Sequence, residues 1–296
     1  MASRKKIRAY RIEKTLLFLM VMVMGVCAAY MIITANEPIT RDADSIIITS
    51  PARIEPQAAT ALANTGFTDT GYLALVNHNH AVRAQPSHDM LVSAWPTVAV
   101  SRVDGMYLHP SALRAVSELF ASAQAAGVEG LFVTSGFRGV EHQAQLYNGG
   151  ANGNFVMPPG HSEHHTGLAV DIMAMGIGQF EFGDSAQGQW LGANSYRYGL
   201  ILRYPEGAEH ITGIAFEPWH FRYVGRVHAY IMRREGLVLE EYIQLIKDEG
   251  SIQIEKNGKS YLILFQADQN DTINLPAGME FTISSTNTAG YIVKAW

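Results

Sequence analysis

Three short segments of the chain carry side chains that suit a hydrolytic metal site. They are SGFR at residues 135–138, SEHHTGLAVD at residues 162–171 and EPWH at residues 217–220. His164, Asp171 and His220, from the last two segments, supply two imidazoles and one carboxylate. This donor set is typical of a catalytic zinc site rather than a structural one, because it leaves a fourth tetrahedral position open to water.

A glutamate and an arginine in the same segments would complete such a site. Glu217 stands three residues before His220, and Pro218 disfavours a regular helix between them, so a turned backbone can bring the carboxylate beside the metal. Zinc lowers the pKa of bound water from about 15.7 to about 7, and a nearby carboxylate can accept the proton and return it to a leaving amine. Arg138 offers a fixed positive charge for a substrate carboxylate or an oxyanion.

Each of these residues alone also has an ordinary structural explanation. The chain has 11 histidines, and an isolated histidine is more often a surface or core residue than a ligand. Asp171 alone suits a strand end, and Glu217 and His220 alone suit a surface ion pair. His165 stands next to His164 and is a second candidate for the ligand. The combination of three segments is a much stronger indication than any one residue.

The three segments together resemble the VanY-type D-alanyl-D-alanine carboxypeptidases. The patterns are S-x-H-x-x-G-x-A-x-D, E-P-W-H and S-G-F-R, and the likeness extends over roughly residues 70 to 250. The resemblance implies roles for residues already named: zinc ligation by His164, Asp171 and His220, general base and acid catalysis by Glu217, and substrate contact by Arg138. It places the ligand two residues after the serine, which selects His164 over His165. Phe137 stands where tyrosine is frequent in the family.

The resemblance also implies a fold and an activity. The expected fold is α+β, a small antiparallel sheet with flanking helices of the D-Ala-D-Ala metallopeptidase kind. The expected reaction uses one catalytic zinc ion to remove the C-terminal D-Ala from peptidoglycan stem pentapeptides that end in D-Ala-D-Ala, which contributes to vancomycin-type resistance. Gln143 and Ser162 are expected as further substrate contacts.

Two other functions stay open for this sequence. The first is an L,D-carboxypeptidase or a peptidoglycan endopeptidase with the same zinc site, because stereochemical preference depends on the shape of the pocket rather than on the ligands. The second is an inactive wall-binding module that retains zinc. Such a module would be expected to lack the base or the arginine, and both Glu217 and Arg138 are present.

Composition and charge narrow the class of protein. The 296 residues are 48% hydrophobic and 17% charged, which indicates a globular chain with a membrane contribution. The formal net charge of −5 argues against a nucleic-acid partner, which favours a basic face. The chain has one cysteine, Cys27, so it has no intrachain disulfide.

A long apolar run near the amino terminus predicts one transmembrane helix. Residues 15–34 form 20 consecutive uncharged residues, and at about 1.5 Å per residue such a helix spans a hydrocarbon core of about 30 Å. The basic segment 1–14 should stay inside under the positive-inside rule, which places the rest outside the bacterial cytoplasmic membrane. A cleaved signal peptide is the main alternative, since Cys27-Ala28-Ala29 offers small residues. A lipoprotein anchor on Cys27 fits less well, because Val26 is unusual before such a cysteine.

Three segments follow the apolar run. Residues 35–70 are rich in Asp, Ser, Thr, Pro and Ala and are predicted to be an extracellular linker, in which Ile46 to Ile48 could pair with another strand. Residues 71–250 form the expected zinc carboxypeptidase domain. Residues 251–296 alternate apolar and polar side chains around Asn257-Gly258, a strong hairpin signal, and are predicted to form a small β-rich appendage that packs on the catalytic domain or pairs with the linker.

Apolar periodicity predicts the elements that must position the site. The expected helices are 110–126, 140–147, 187–198, 226–235 and 239–248, and the expected strands are 131–134, 168–172, 200–204 and 214–216. In this arrangement Arg138 follows the first strand, His164 lies at the entry of the second, and the strand 214–216 delivers Glu217. Further strands are expected at 272–275, 281–284 and 291–293.

Overall fold

The computed structural model describes residues 46–47, 58–61, 71–149, 155–267, 272–275, 278–288 and 290–296. The predicted basic segment 1–14 and transmembrane helix 15–34 lie outside these residues. Within the described ranges, no helix has both the length and the apolar character needed to cross a bilayer. The described residues between Ile46 and Trp296 belong to one compact unit.

The described residues form an α+β fold, as the sequence predicts. In chain order the strands are β1 (Ile46–Ile47), β2 (Ala58–Ala61), β3 (Val92–Ser93), β4 (Tyr107–Leu108), β5 (Leu131–Ser135), β6 (Ala169–Ala174), β7 (Leu200–Leu202), β8 (His220–Tyr223), β9 (Ser251–Lys256), β10 (Lys259–Gln266), β11 (Thr272–Leu275), β12 (Phe281–Ser285) and β13 (Tyr291–Ala295). The α-helices are α1 (Pro110–Ala125), α2 (Val140–Asn148), α3 (Ala186–Asn194), α4 (Glu209–Thr212), α5 (Arg226–Glu235) and α6 (Leu239–Glu249).

A four-stranded antiparallel sheet in the order β5-β6-β8-β7 lies at the centre of the catalytic segment. Its middle strand β6 is apolar on both faces except at Asp171, because both faces are covered. The register pairs Asp171 with His220 across β6 and β8, and with Ser135 across β6 and β5. The sheet itself therefore brings two of the predicted ligands together.

Helix α1 packs on this sheet and confirms the predicted amphipathic pattern. It begins with Pro110 in the first turn, and the imidazole of His109 accepts a hydrogen bond from the backbone N–H of Ser111, which caps the helix. Leu113, Val116 and other residues at helical spacing are buried against Val133, Val170 and Phe221 of the sheet in the main hydrophobic core.

The structure differs from the predicted elements at two functional places. His164 lies in a 3-10 turn, Glu163–Thr166, rather than at a strand entry, because Ser162 caps this turn and Gly167 ends it. The predicted strand 214–216 is wrong: residues 214–216 form a loop. The backbone N–H of Ile214 donates to the Thr212 hydroxyl instead of to a neighbouring strand. The strand begins only at His220, after the turn at Pro218.

Two other predicted boundaries shift. The predicted helix 187–198 divides into α3 and a 3-10 turn, Ser195–Tyr198, which ends at Gly199. The predicted strand 200–204 ends at Leu202, and Arg203 instead turns its side chain into the interior. The other predicted helices and strands of the catalytic segment lie within a few residues of their expected limits.

The carboxyl-terminal strands form a five-stranded antiparallel sheet in the order β1-β9-β10-β13-β12. The predicted hairpin is confirmed: β9 and β10 pair across Asn257 and Gly258, whose φ angles of 52° and 71° match a type I′ turn. Ile46–Ile47 of the predicted linker pairs with β9, and Ala58–Ala61 pairs with β11.

This second sheet shares a hydrophobic core with two helices of the catalytic segment. Ile252, Ile254, Ile263 and Ile292 are buried on the sheet side, and the facing residues come from α5 and α6. The buried members from the helices include Val227, Ile231, Leu239, Tyr242, Ile243 and Ile246. The 251–296 segment therefore packs on the catalytic segment and is not a separately folded tail.

His228 of α5 is a buried histidine in this region that should make stability depend on pH. Its ring lies 2.8 Å from the Tyr242 hydroxyl through Nδ1, and burial, together with the nearby charge of Lys294, lowers its pKa from 6.5 to about 3. Above pH 6.5 both folded and unfolded chains keep it neutral. Below pH 6.5 the unfolded chain binds a proton that the folded chain does not, so folding stability falls, by about 3 kcal/mol at pH 4.

His228→Gln retains a polar partner for Tyr242 but does not titrate. Between pH 7 and pH 4, we expect the folding stability of this variant to fall by about 3 kcal/mol less than that of the natural chain. Urea unfolding at the two pH values measures this difference. The exposed His210, changed to Gln in the same way, is the control for the exchange itself. Equal pH dependence in all three chains would contradict the expected contribution of His228.

Candidate metal centre and active site

The structure brings together His164, Asp171 and His220, the three predicted ligands. One ligand atom from each lies within 4.8 Å of the others. Asp171 sits between the two imidazoles: Oδ2 is 3.3 Å from Nε2 of His164, and Oδ1 is 2.9 Å from Nδ1 of His220. Neighbouring positions on β6 and β8 supply Asp171 and His220, and the 3-10 turn before β6 supplies His164.

The turn that carries His164 is fixed by the residues on both sides of it. The Ser162 hydroxyl accepts a hydrogen bond of 3.4 Å from the backbone N–H of His164. Gly167 ends the turn at φ 69°, and a Cβ atom there would approach Leu91 Cδ2 to 2.7 Å. Nδ1 of His164 lies 2.7 Å from the Gly136 carbonyl, so it donates its proton there and leaves the Nε2 lone pair facing Asp171.

His165, the competing candidate, points away from the cluster. Its Nε2 accepts a hydrogen bond of 3.1 Å from the backbone N–H of Gly160, and its Nδ1 lies 2.6 Å from the Arg138 carbonyl. Both ring nitrogens are therefore used in holding neighbouring loops. The geometry selects His164 for the cluster, as the resemblance does.

Glu163 is a further charged residue beside the ligand cluster, and the sequence motifs assign it no role. The side chain is fully buried, and its Oε2 atom lies 3.5 Å from Nε2 of His220. These two atoms are buried and have no hydrogen-bond partner among the described residues. Glu163 thus faces the ring nitrogen of His220 that is remote from Asp171. In metal sites, a carboxylate at this position commonly orients the histidine that binds the metal.

Two buried arginines hold Glu163 in place. Oε1 of Glu163 accepts hydrogen bonds from Arg203 Nε at 2.8 Å and from Arg222 Nη1 at 2.9 Å. Arg203 also binds Glu240 through both terminal nitrogens, at 2.9 and 2.7 Å. Burial alone would raise the pKa of Glu163, but the charges of Arg203 and Arg222 hold it well below its usual range. The carboxylate is ionised, and only one of its oxygens is committed to the arginines.

The predicted base Glu217 lies directly beside the ligands. Its Oε2 atom is 3.7 Å from Nδ1 of His220, and its backbone N–H donates to the Tyr204 carbonyl at 3.1 Å. The turn at Pro218 returns the chain so that Glu217 and His220 face the same cavity. Burial raises the pKa of Glu217 to about 8, and Asp171 adds to the effect. A carboxyl group with a pKa in this range can both take up and release a proton near neutral pH.

Arg138 is held rigidly at the edge of the site. Its two terminal nitrogens donate to Gln143 Oε1 at 2.8 Å and to Ser135 Oγ at 2.9 Å. Gln143 is completely buried and donates in turn to the Met157 carbonyl at 2.6 Å. The side chain of Gln143 therefore fixes the guanidinium, and Ser162 caps the ligand turn. Both residues also line the cavity.

The cavity above the ligands has a volume of about 180 Å³. Arg138, Glu217 and the three candidate ligands share it with aromatic residues. Phe155 and Trp219 lie with ring centres 6.2 Å apart, and Phe180, 74% exposed, contacts both rings at 6.2 and 6.3 Å. The site thus combines a charged floor with an apolar aromatic wall, a suitable setting for a small peptide end.

The donor set fits zinc. Each imidazole has one nitrogen turned to Asp171, and the other faces an acceptor: the Gly136 carbonyl for His164 and the Glu163 carboxylate for His220. Two histidines and one carboxylate are three of the four ligands expected for a catalytic zinc ion. A second group of three or more potential ligands is not found in the part of the chain that the structure describes.

Comparisons with known proteins show which family the chain is similar to. Residues 105–226 match the family model described as VanY, D-alanyl-D-alanine carboxypeptidase. A D-alanyl-D-alanine carboxypeptidase of Enterococcus faecium is 33% identical over 236 residues, which are 76% of this chain and 75% of that protein.

Two solved structures are similar over most of the chain. One is the vancomycin resistance D,D-dipeptidase VanXYg in complex with a D-Ala-D-Ala phosphinate analogue, with a TM-score of 0.69, 29% identity and coverage of 81% of this chain and 98% of that chain. The other is the LdcB LD-carboxypeptidase, with a TM-score of 0.55, 36% identity and coverage of 60% and 87%.

Proposed function

The chain belongs to the VanY family of D-alanyl-D-alanine carboxypeptidases, and from that premise we propose that it removes the C-terminal D-Ala from peptidoglycan stem pentapeptides ending in D-Ala-D-Ala. The observation that carries the proposal is the buried cluster of His164, Asp171 and His220, with Glu217 and Arg138 on the same cavity. Loss of the terminal D-Ala reduces the number of D-Ala-D-Ala ends, which contributes to vancomycin-type resistance.

The residues divide the work of peptide hydrolysis among them. One zinc ion held by His164, Asp171 and His220 would supply Lewis acidity to the scissile carbonyl. Glu217 removes a proton from the attacking water and delivers it to the amine of the departing D-Ala. Burial raises the pKa of Glu217, which strengthens its carboxylate as the base for the first of these steps.

Arg138 binds the substrate carboxylate in this proposal. Its guanidinium is fixed by Ser135 and Gln143, so little conformational freedom is lost when an anion binds. A free C-terminal carboxylate at this position explains why the enzyme would act on the end of a peptide. Direct contacts of Gln143 and Ser162 with the substrate stay predictions, and Gln143 also acts by positioning Arg138.

An L,D-carboxypeptidase is the second candidate, because the similar LdcB structure is described as an LD-carboxypeptidase. An endopeptidase fits less well with an arginine fixed in the cavity. An inactive wall-binding module is also disfavoured, since Glu217 and Arg138 both face the ligand cluster.

Product analysis on defined stem peptides distinguishes the two carboxypeptidases. We expect the full chain to release one D-Ala from a pentapeptide ending in D-Ala-D-Ala and to leave the tetrapeptide product intact. A chelator should stop the release, and added Zn²⁺ should restore it. Cleavage of the tetrapeptide without cleavage of the pentapeptide would refute the D,D assignment, and activity that survives the chelator would refute the metal.

The enzyme is proposed to be anchored in the bacterial cytoplasmic membrane by one helix at residues 15–34, with segment 1–14 inside and the catalytic segment outside. The 20 uncharged residues and the six basic residues that precede them support this orientation. Segment 35–70 would then separate the catalytic site from the bilayer. A cleaved signal peptide is the alternative, and it would give the same external location for the site.

A further inference from the structure

A second cleft lies at the opposite end of strand β8 from the metal centre. Its volume is about 300 Å³, and helix α1, the corner between β8 and α5, and the carboxyl-terminal sheet all contribute to its walls. His220 begins β8, while Tyr223, at the other end of the strand, lines the second cleft. Three residues of extended strand separate the two positions by about 10 Å.

Positive charge is concentrated in this cleft. Arg114, Arg226, Lys259 and Lys294 line it and come from four different elements, in a chain whose formal net charge is −5. Glu118, also in the cleft, forms an ion pair with Arg226. No carboxylate among the described residues forms an ion pair with the other three cations. The cleft thus has three uncompensated positive charges.

Lys294 shows how the sheet changes character at this place. On β13 it follows Ile292 on the same face, and Ile292 is buried in the core shared with α5 and α6. Lys294 pairs across the strands with Ile263 and Thr282, and its Nζ atom lies 4.7 Å from the centre of the Trp296 ring. The apolar face of the sheet therefore becomes cationic where it leaves the core and borders the cleft.

The environment of Lys294 favours an anion. Burial lowers its pKa, because part of the ammonium's hydration is lost and no carboxylate among the described residues replaces it. The amino terminus of α5 lines the same cleft, and Gly225, the N-cap residue immediately before Arg226, provides no side-chain cap. The positive end of the helix dipole adds to the potential of the side chains.

We propose that this cleft binds the phosphodiester groups of an anionic polyol-phosphate chain. Arginine guanidinium groups match phosphate oxygens in a bidentate way, and three uncompensated cations suit repeated single negative charges better than one carboxylate. Tyr261 and Trp296, which also line the cleft, offer apolar ring surfaces for the carbon backbone of such a polymer. A phospholipid head group presents the same phosphodiester chemistry, so the two sources must be separated by experiment.

The test uses the full chain and two soluble probes. One probe is a synthetic hexamer of glycerol phosphate, and the other is glycerophosphoglycerol, the head group of phosphatidylglycerol. We expect calorimetric titration to detect binding of the hexamer that weakens as salt is raised. The double variant Arg114→Gln, Lys259→Gln should weaken this binding by about tenfold or more for each cation removed. Lys294→Gln should weaken it in the same way.

A control with the same change in charge makes the result specific. Arg83 and Arg197 are exposed and lie outside the cleft, so Arg83→Gln, Arg197→Gln should keep the affinity of the natural chain. All variants should still release D-Ala from the pentapeptide, which shows that they fold. If each phosphate of the hexamer contributes more to binding than the single phosphate of glycerophosphoglycerol, the site is assigned to a polymer. Equal binding per phosphate contradicts the polymer and assigns the site to a lipid head group. The proposal is wrong if neither probe binds, or if the control variant loses as much affinity as the cleft variants.

Discussion

Glu217→Gln should lower kcat on a D-Ala-D-Ala pentapeptide by about 10²- to 10⁴-fold, the range typical for loss of a general acid and base. The amide retains the shape of the buried side chain but cannot take a proton from water or give one to the leaving amine. The ligand cluster is unchanged in this variant, so we expect zinc to remain bound at one ion per chain. Measurement of D-Ala release and of zinc content on the same sample separates the two properties.

Glu209→Gln is the matched control for this prediction. Glu209 begins helix α4 and is exposed, and the same change there should leave kcat unaffected. A Glu217→Gln enzyme with activity close to that of the natural chain would show that another group handles the proton. Loss of zinc along with activity would instead show that Glu217 serves the metal rather than the reaction.

Glu163→Gln should weaken zinc binding by about 10- to 100-fold, the usual effect of removing a partner of a metal-binding histidine. The carboxylate faces Nε2 of His220, and a neutral amide holds that nitrogen less strongly. The change also leaves Arg222 without its buried carboxylate partner, which should cost about 3–5 kcal/mol of folding stability. Competition with a zinc-binding indicator measures the affinity, and urea unfolding of the metal-free chain measures the stability.

Glu240→Gln distinguishes a positioning role from simple structural support. Glu240 binds Arg203 from the other side and does not contact His220. We expect this variant to lose stability while its zinc affinity stays near that of the natural chain. If both variants weaken zinc binding equally, Glu163 acts only by supporting the fold.

The family and the candidate ligands could be predicted from the sequence because their signal is local. His164 and Asp171 stand in one ten-residue segment, and a metal requires particular side chains at particular spacings. The family membership inferred from these motifs is confirmed by the comparisons. The Asn257-Gly258 turn was equally readable, because a type I′ turn needs two residues that tolerate positive φ.

The parts that sequence reasoning missed depend on contacts between distant segments. Glu163, Arg203 and Arg222 are charged, and charged residues are almost never fully buried unless they are paired. Their pairing joins positions 40 and 59 residues apart, so no local pattern shows it. A glutamate between the serine and the histidine of the ligand motif was the one available signal.

The error at residues 214–216 has a similar origin. Three apolar residues before Glu217 fit a short strand, but a segment becomes a strand only if a neighbouring strand has a free edge. In this sheet β8 is already paired with β6 on one side and with β7 on the other. The loop at 214–216 lets the Glu217 side chain reach the cavity from outside the sheet, whereas His220 enters it from the first position of β8.

The strand order of the carboxyl-terminal sheet affects how the chain can fold during synthesis. β13 is the last strand in sequence but lies between β10 and β12, and Ile292 from it completes the core under α5 and α6. A nascent chain whose residues 291–295 are still inside the ribosomal exit tunnel therefore cannot close this core.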